Sequence, residues 1–355
     1  MKKVTYQQVA DALNISRVTV WKAVNDKPGI APATKRSILQ KAVEMGYPIS
    51  IMNQPENTPA AYTAAEPVQP GDIASRNLNV AVVVSRPETS NFWMSIIHYQ
   101  AMTLSSQGIN LMYVYLPPTY SDTYKLPDCL TDGTVSGIIV MNIYDEKLFS
   151  ALNELKTTKV FLDCPANTSF SALSGDLFLL EGRSNVEEIV EHMIACGKKR
   201  INFIGDIAYA QTNKERYLGY LKAMQRHQLE ANDDDNLIMP IGIDQYEETI
   251  FDYLDHFTRM PEAIVCASDH IASIVLDYCK KHNFQVPRDV FVSGFDDNHE
   301  FNTGISLTSV HVNNDRIGVC LANRLIYKIV HPDDDHEYRY IRSRTVFRDS
   351  TDNDI

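Results

Sequence analysis

The sequence lacks the signatures of several large classes of protein. No apolar run approaches the roughly 18–20 residues that cross a bilayer, so we expect no membrane span. The six cysteines are scattered, with no Cys-x-x-Cys pair and no histidine at zinc-binding spacing. This pattern predicts buried thiols in a reducing cytoplasm and no metal site. Met1-Lys2-Lys3 is not followed by the apolar stretch of a signal peptide, which also favours the cytoplasm.

Motifs of nucleotide-binding and hydrolytic enzymes are absent as well. The chain has no G-x-G-x-x-G after a strand, no G-x-x-x-x-G-K-[ST] and no G-x-S-x-G. No paired histidine and carboxylate set stands out. An enzyme is nevertheless the competing class, since doubly wound α/β folds host many enzymes. The sequence therefore names no catalytic residue and implies no cofactor.

Charge is distributed unevenly along the chain. Residues 1–50 hold eight Lys/Arg against three Asp/Glu, a balance of +5, whereas the whole chain has a formal net charge of −12. The remainder therefore carries −17. A basic head on an acidic body concentrates affinity for phosphate at one end. This asymmetry predicts that any contact with DNA comes from the head alone.

Residues 4–25, VTYQQVADALNISRVTVWKAVN, carry the most informative pattern. Thr5 and Ser16 are good N-caps for two short helices joined by a tight corner. The second helix would expose Arg17, Val18 and Lys22, an arrangement that suits insertion into the major groove of DNA. An ordinary helical hairpin is the alternative. The apolar positions of the two helices are Val9, Ala10, Leu13, Val20 and Val24.

A third helix is predicted from Pro32 to Gly46, with Ile38, Ala42 and Met45 at helical spacing. These three residues should close a small core against the first two helices. The head would thus occupy residues 1–49. Residues 50–77 follow with four prolines and no sustained periodicity, which indicates a flexible linker.

The body, residues 78–355, alternates short apolar runs with helical patterns. Continuous β-branched runs between amphipathic helices predict parallel strands covered on both faces, and the number of units favours two doubly wound sheets. The predicted fold class is therefore α/β, an all-α helix-turn-helix head followed by a periplasmic-binding-protein-like body of two lobes. The predicted strands are 80–84, 111–115, 137–141, 160–163, 201–205, 263–267 and 290–295. The predicted helices are 92–107, 186–196, 216–227, 271–282 and 317–330.

The head sequence, together with Ile30, Thr34 and Gly46-Tyr47, resembles the head of the lactose-repressor/galactose-repressor (LacI/GalR) family of bacterial transcription regulators. Body landmarks extend the resemblance to residue 351, and their order and spacing make it specific. They include Arg216-Tyr217-Leu218-Gly219-Tyr220, Ala263–Asp269 with Ser268 in place of the usual Asn, Gly294-Phe295-Asp296-Asp297 and Arg348–Thr351. The segment Met52–Glu56 departs from the family, because it lacks the leucine-bearing hinge helix usually found there.

The resemblance implies a DNA-reading helix. It places the base contacts at Arg17, Val18 and Lys22, with phosphate contact as the alternative for the two cations. Trp21, where the family commonly has a small residue, covers either a sugar-phosphate edge or the third helix. The resemblance places contacts to the DNA backbone at Ser16, Thr19, Asn25, Thr34 and Tyr47.

The resemblance also implies an effector site between the lobes. Arg216 offers a planar fork, and Asp269 follows a strand whose end should point into the crevice. An ion pair that holds the lobes together is the alternative for both. Phe92 and Trp93 offer a stacking face for a sugar ring or nucleobase, with packing in the core as the commoner use of an aromatic residue at a helix start. For Asp296 and Asp297, structural capping is favoured over a metal or acid-base role. Asp163 and Phe301 complete the predicted site.

The chain is thus expected to be a repressor that binds near-palindromic operator DNA as a homodimer and responds to a small molecule, which we expect to be sugar-like. Helix residues such as Met94, Ile97 and Met102 are candidates for the dimer interface. A ligand-independent DNA-binding protein is the second hypothesis. We expect the N-lobe at about 78–163 and 297–322, and the C-lobe at about 164–296 and 323–351.

Overall fold

The fold is described here from a computed structural model. It describes residues 5–13, 15–24, 34, 38, 41–42, 45, 78–85, 91–242, 245–298, 300 and 304–352. The chain divides into two compact units, residues 1–67 and 68–355. The predicted linker at 50–77, and Asn25, Tyr47 and Phe301, lie outside the described residues.

The first unit contains helices α1 (Tyr6–Leu13) and α2 (Arg17–Val24). Both predicted N-caps are confirmed. The amide of Gln8 donates to Thr5 Oγ1 at 3.4 Å while the Gln8 side chain accepts from the amide of Thr5 at 2.9 Å, a reciprocal capping box. The amide of Thr19 donates to Ser16 Oγ at 3.1 Å. The core of the head forms from Val9, Ala10, Val20, Ala23, Ile38 and Ala42, with Leu13 and Met45 against it. Ala23 was not predicted, and the side chain of the predicted Val24 lies outside the described residues.

In the second unit, the N-lobe is built on a six-stranded sheet in the order β10-β5-β4-β3-β1-β2, in which every paired neighbour is parallel. Its central strands are buried on both faces, as their continuous apolar runs require. The strands are β1 (Asn79–Val84), β2 (Asn110–Tyr115), β3 (Gly137–Met141), β4 (Thr158–Leu162), β5 (Asp176–Leu180) and β10 (Tyr338–Ile341).

Helices α3 (Asn91–Ser106), α4 (Glu146–Asn153) and α9 (Asn314–Val330) belong to the same lobe. Helix α9 packs along α3 so closely that a Cβ on Gly318 would lie 2.5 Å from the carbonyl oxygen of Ile96. A buried ion pair joins Arg324 on this helix to Asp176 at the start of β5.

The C-lobe contains a parallel sheet in the order β6-β7-β8. Helices α5 and α6 pack against each other, as do α7 and α8. The strands are β6 (Ile201–Ile204), β7 (Ala263–Cys266) and β8 (Phe291–Ser293). The helices are α5 (Arg183–Ala195), α6 (Gln211–Arg226), α7 (Tyr246–Asp255) and α8 (Asp269–Lys281).

The chain crosses between the lobes after β5, between β8 and α9, and after β10. The second and third crossings contain β9 (Ser309–His311) and β11 (Arg344–Val346), which pair antiparallel. The lobe boundaries expected near residues 163 and 322 are therefore wrong. Strands β5 and β10 pair into the N-lobe sheet, and the whole of α9 packs on that lobe.

Two further findings bear on the sequence predictions. No helix in the described part of the chain is long and apolar enough to cross a membrane. All six cysteines are free thiols, but only Cys164, Cys266 and Cys279 are buried, while the other three are half-buried. Burial raises the pKa of the Cys164 thiol and the Cys279 thiol to about 12, which makes both unreactive near neutral pH.

Candidate DNA-reading helix and effector cleft

Helix α2 presents an apolar side chain to solvent instead of burying it. Val18 is 61% exposed, although Val20 on the same helix is fully buried. Arg17 is exposed beside it, and Lys22 is half-buried one turn further along. A face that combines two long cations with an exposed branched side chain has donors for guanine and a methyl contact for thymine.

Three of the predicted contacts to the DNA backbone lie among the described residues. Thr34 is exposed, and Ser16 and Thr19 lie at the start of α2, where their hydroxyl oxygens are 2.7 Å apart. Ser16 caps the helix and Thr19 hydrogen-bonds to it, which is the local role that the sequence left open for Ser16. Trp21 is 43% exposed and does not belong to the buried core of the head.

In the second unit, Asp163 connects the two lobes. It follows β4 in the N-lobe, and its side chain is buried. Its Oδ2 accepts from the hydroxyl of Thr212 on α6 at 2.6 Å and from the hydroxyl of Tyr144 at 3.0 Å. Burial raises the pKa of the Asp163 carboxyl, while these hydrogen bonds and the charge of Arg216 oppose that rise. The predicted cleft residue Asp163 therefore lies at the junction of the lobes.

An aromatic pair closes the same side of the cleft. Tyr144 follows β3 in the N-lobe and Tyr209 follows β6 in the C-lobe, and their ring centroids are 4.3 Å apart at 46°. The sequence analysis missed both tyrosines and Thr212. A usable signal was present, because residues just after parallel strands gather at the carboxyl edge of a sheet, where ligands bind.

Arg216 lies in the C-lobe part of the cleft, with its side chain almost fully buried. Its guanidinium stacks on the ring of Phe295, 3.6 Å from the centroid, and one amino group donates to the carbonyl oxygen of Ala267. Another nitrogen lies 3.6 Å from Asp296 Oδ1. The Nε atom is buried and has no hydrogen-bond partner among the described residues. The guanidinium is thus fixed in place, and its Nε–H group donates no hydrogen bond within the described residues.

Asp269, which the sequence placed in the effector site, is buried and hydrogen-bonded within the chain. The side chain is 2% exposed, and its oxygens accept from the amide of Asn298 at 2.6 Å and from the hydroxyl of Ser309 at 2.7 Å. A Cβ added to Gly294 would lie 2.0 Å from Asp269 Oδ1. The first residue of α8 therefore turns inward and anchors a segment that crosses between the lobes.

Burial, followed by the negative charge of Asp296, raises the pKa of the Asp269 carboxyl to about 7. The hydrogen bonds from Ser309 and Asn298 oppose this shift but do not cancel it. A carboxyl that gains and loses its proton near neutrality thus lies where the second crossing leaves the C-lobe.

Asp296 and Asp297 have separate roles, although the sequence analysis treated both as capping residues. Asp297 is structural, because it contacts Arg348 at 2.7 Å and His311 at 3.0 Å and its amide donates to Ser309. For Asp296 the expectation is wrong, since it pairs with Arg216 in the cleft. Both adopt positive φ, 107° for Asp296 and 52° for Asp297, a conformation that is costly for non-glycine residues and concentrated at functional sites.

A cavity of about 520 Å³ adjoins this pair. Phe92 lines it, as expected of a stacking residue, whereas Trp93 packs against the core and the edge of the Phe92 ring. Arg216 and Asp269 are not among its lining residues. The wall consists of Asn91, Phe92, Ser95, Asp296, Asp297, Asn298, Glu300, His311, Val312, Asn313, Asn314 and Asp315. The cavity therefore lies between the start of α3 and the second crossing.

Comparison with known proteins supports this organisation. Residues 190–351 match the family model for a periplasmic binding protein-like domain. The chain is 24% identical to the HTH-type transcriptional repressor PurR of Haemophilus influenzae (strain PittEE) over 336 residues, which cover 93% of this chain and 92% of the relative. It is 26% identical to PurR of Histophilus somni (strain 129Pt) over 364 residues, covering 98% of both chains.

Solved structures share the fold over the full length of the chain. The transcriptional regulator CelR in complex with cellobiose has a TM-score of 0.69 at 19% identity and covers 98% of this chain and 100% of its own. The lac repressor dimer bound to operator and the anti-inducer ONPF has a TM-score of 0.64 at 17% identity, covering 99% of each chain. The α/β body with an N-terminal helical head is therefore confirmed as the fold.

Proposed function

Because this chain belongs to the lactose-repressor/galactose-repressor (LacI/GalR) family of transcriptional regulators, we propose that it represses transcription as a homodimer on a near-palindromic operator. A small molecule bound between the lobes of the body sets its affinity for that operator. One observation carries the proposal. The same chain holds a capped head helix that exposes Arg17 and Val18, and a body whose lobes meet around Asp163, Arg216 and Asp296.

In this proposal, α2 enters the major groove. Arg17 and Lys22 donate to guanine O6 and N7, and the exposed Val18 packs on a thymine methyl group. The backbone contacts come from Ser16, Thr19, Asn25, Thr34 and Tyr47. Two heads are needed, because one small helical module rarely provides enough specific affinity and two-fold symmetry supplies a second half-site.

The dimer forms through the body. Met94 and Met102 on α3 are 48% and 55% exposed, and exposed apolar side chains along one helix mark an interaction surface. Tyr113 and Tyr115, on the neighbouring edge strand β2, extend this surface. Ile97, which the sequence suggested as a third interface residue, is buried in the core instead.

The effector is proposed to be a sugar or sugar derivative. Arg216 and Asp296 present a fixed donor and a fixed acceptor, and Phe92 gives the adjoining cavity an apolar wall. Such a combination suits a polyhydroxylated ring with polar edges and an apolar face. Cellobiose is the ligand named for the related CelR structure, and ribose is named for a LacI-family regulator from Enterococcus faecium. The relatives are regulators, and no enzymatic step is proposed.

The test uses the full-length protein. An operator is selected from random DNA, and its affinity is then measured by fluorescence anisotropy with and without a panel of sugars. Arg216→Gln is expected to keep operator affinity within about threefold and to lose the response to the effector. Arg200→Gln is the matched control, because Arg200 pairs with Glu262 outside the cleft. Operator binding that no small molecule alters would favour the second hypothesis, a ligand-independent DNA-binding protein.

A further inference from the structure

The wall of the cavity has a strong excess of negative charge. Among the described residues that line it, the acidic members are Asp296, Asp297, Glu300 and Asp315. Two guanidinium groups in the described part of the chain offset this charge, Arg216 beside Asp296 at 3.6 Å and Arg348 beside Asp297 at 2.7 Å. Counted as full charges, four carboxylates against two arginines leave a balance of −2.

Two helix N-termini also border the cavity, and such ends attract anions in many proteins. In this protein, a side chain of the chain itself already accepts a hydrogen bond at each of these two helix ends. Glu300 accepts from the amide of Asn91 at the start of α3. At the start of α9 the side chain of Asn313 accepts from the amide of Arg316 at 2.9 Å, and Asp315 lies in the first turn. The positive ends of these helix dipoles are therefore neutralised before a ligand arrives.

The remaining polar groups of the wall are uncharged and leave its balance of charge unchanged. They are the side chains of Asn91, Ser95, Asn298, Asn313 and Asn314. The Oδ1 atom of Asn314 is buried and has no hydrogen-bond partner within the described residues. This oxygen has almost no accessible surface, so it is not counted among the groups that meet a ligand.

We propose that the effector cavity binds an uncharged or amine-bearing sugar and rejects the phosphorylated or acidic form of the same sugar. This inference rests on the proposed function, since it assigns a ligand class to the same cleft. Hydroxyl and ammonium groups donate to the carboxylates, whereas a phosphate or carboxylate would enter a wall that already carries excess negative charge. A volume of about 520 Å³ lies within the range of small-molecule sites and holds one or two sugar rings.

The test measures direct binding by calorimetry to the full-length protein, using matched series of sugars. The galactose series contains galactose, galactosamine, galacturonate and galactose 6-phosphate, and equivalent series are built on glucose and ribose, with cellobiose added. In the series that binds most tightly, we expect the neutral or amine member to bind at least about tenfold more tightly than both acidic members. Tightest binding by a phosphate or uronate would overturn the proposal, as would binding by none of the neutral and amine members.

A charge variant provides an independent measurement. Glu300→Gln together with Asp315→Asn keeps the acceptor oxygens but removes two charges, and should raise the affinity for the acidic members about tenfold relative to the neutral ones. The matched control, Glu248→Gln with Asp252→Asn, removes two charges from the exposed surface of α7 and should leave selectivity unchanged. Equal shifts in both variants would overturn the assignment. Operator affinity is measured separately, so a failure of DNA binding contradicts the proposed function without affecting this result.

Discussion

The hydroxyl of Thr212 donates to Asp163 Oδ2 at 2.6 Å, and the amide of Thr212 lies 3.3 Å from Oδ1 of the same carboxylate. Thr212 is in the first turn of α6, where Ala210 at the N-cap position has no side chain to accept a hydrogen bond. The carboxylate that caps this C-lobe helix therefore comes from the N-lobe. One side chain both stabilises the helix terminus and fixes the lobes to each other.

We expect Thr212→Val to loosen this junction. Valine keeps the shape but removes a donor from a buried carboxylate, which should cost roughly 1–3 kcal/mol of unfolding free energy. Urea denaturation of the full-length protein provides the measurement. Thr212→Ser, which keeps the hydroxyl, should lose less than half as much. A larger loss in Thr212→Ser than in Thr212→Val would show that the methyl group, and not the hydrogen bond, is responsible.

Stability should depend on pH through Asp269. Its pKa is raised from 3.8 to about 7 in the folded protein, so between these values the folded state retains a proton that the unfolded state releases. Stability from this group is therefore full below about pH 4, falls as the pH rises to about 7, and is constant above that, a change of roughly 2–4 kcal/mol.

Asp269→Asn removes this titration and mimics the protonated form, because the hydroxyl of Ser309 can accept instead of donating. The measurement is the difference in unfolding free energy between variant and parent from pH 4 to pH 8. It should change in favour of the variant as the pH rises. A difference that is flat across this range would mean that Asp269 is ionised throughout.

Arg17→Ala should weaken operator binding selectively. Loss of a bidentate contact to guanine costs roughly 1–3 kcal/mol, or about 5- to 150-fold in affinity. Affinity for random DNA should fall much less, because nonspecific binding depends on the total charge of the head. Fluorescence anisotropy on both DNAs makes the comparison. A loss of the same size on random DNA would assign Arg17 to a phosphate.

Gly219→Ala should destabilise the C-lobe. A Cβ at this position would lie 2.2 Å from the carbonyl oxygen of Arg183, where α6 crosses the start of α5. Since that neighbour is backbone, the helices must move apart, at a cost of roughly 1–3 kcal/mol. Thermal unfolding of the full-length protein tests this. An unchanged melting temperature would show that α5 and α6 separate without cost.

Sequence patterns predicted the strands well where the residues are both buried and β-branched. All seven predicted runs form strands, because continuous β-branched residues suit a sheet covered on both faces. Strand β5, DLFLL, was missed because it contains no β-branched residue and begins with a buried aspartate. Asp176 is tolerated there because Arg324, 148 residues later, pairs with it and the amide of Glu337 donates to it at 3.0 Å. That partnership depends on tertiary structure and leaves no local pattern.

Only part of the candidate site could be predicted, because the rest also depends on tertiary structure. The expected Arg216, Asp163 and Phe92 lie at the cleft or its cavity. Asp269 and Asp296 exchanged their expected roles, since each follows a strand and only backbone geometry decides which one turns inward. Asp296 reaches Arg216 from a positive-φ conformation, which residue type alone does not reveal.

The antiparallel pairing of β9 with β11 has a mechanical consequence. These strands lie in two of the three crossings and are matched over three residue pairs, from Ser309 opposite Val346 to His311 opposite Arg344. Two connections joined side by side resist twisting and sliding much more than bending across their width. The lobes should therefore open and close about a single hinge axis. Ligands of different shapes should then drive the same rotation of one lobe relative to the other.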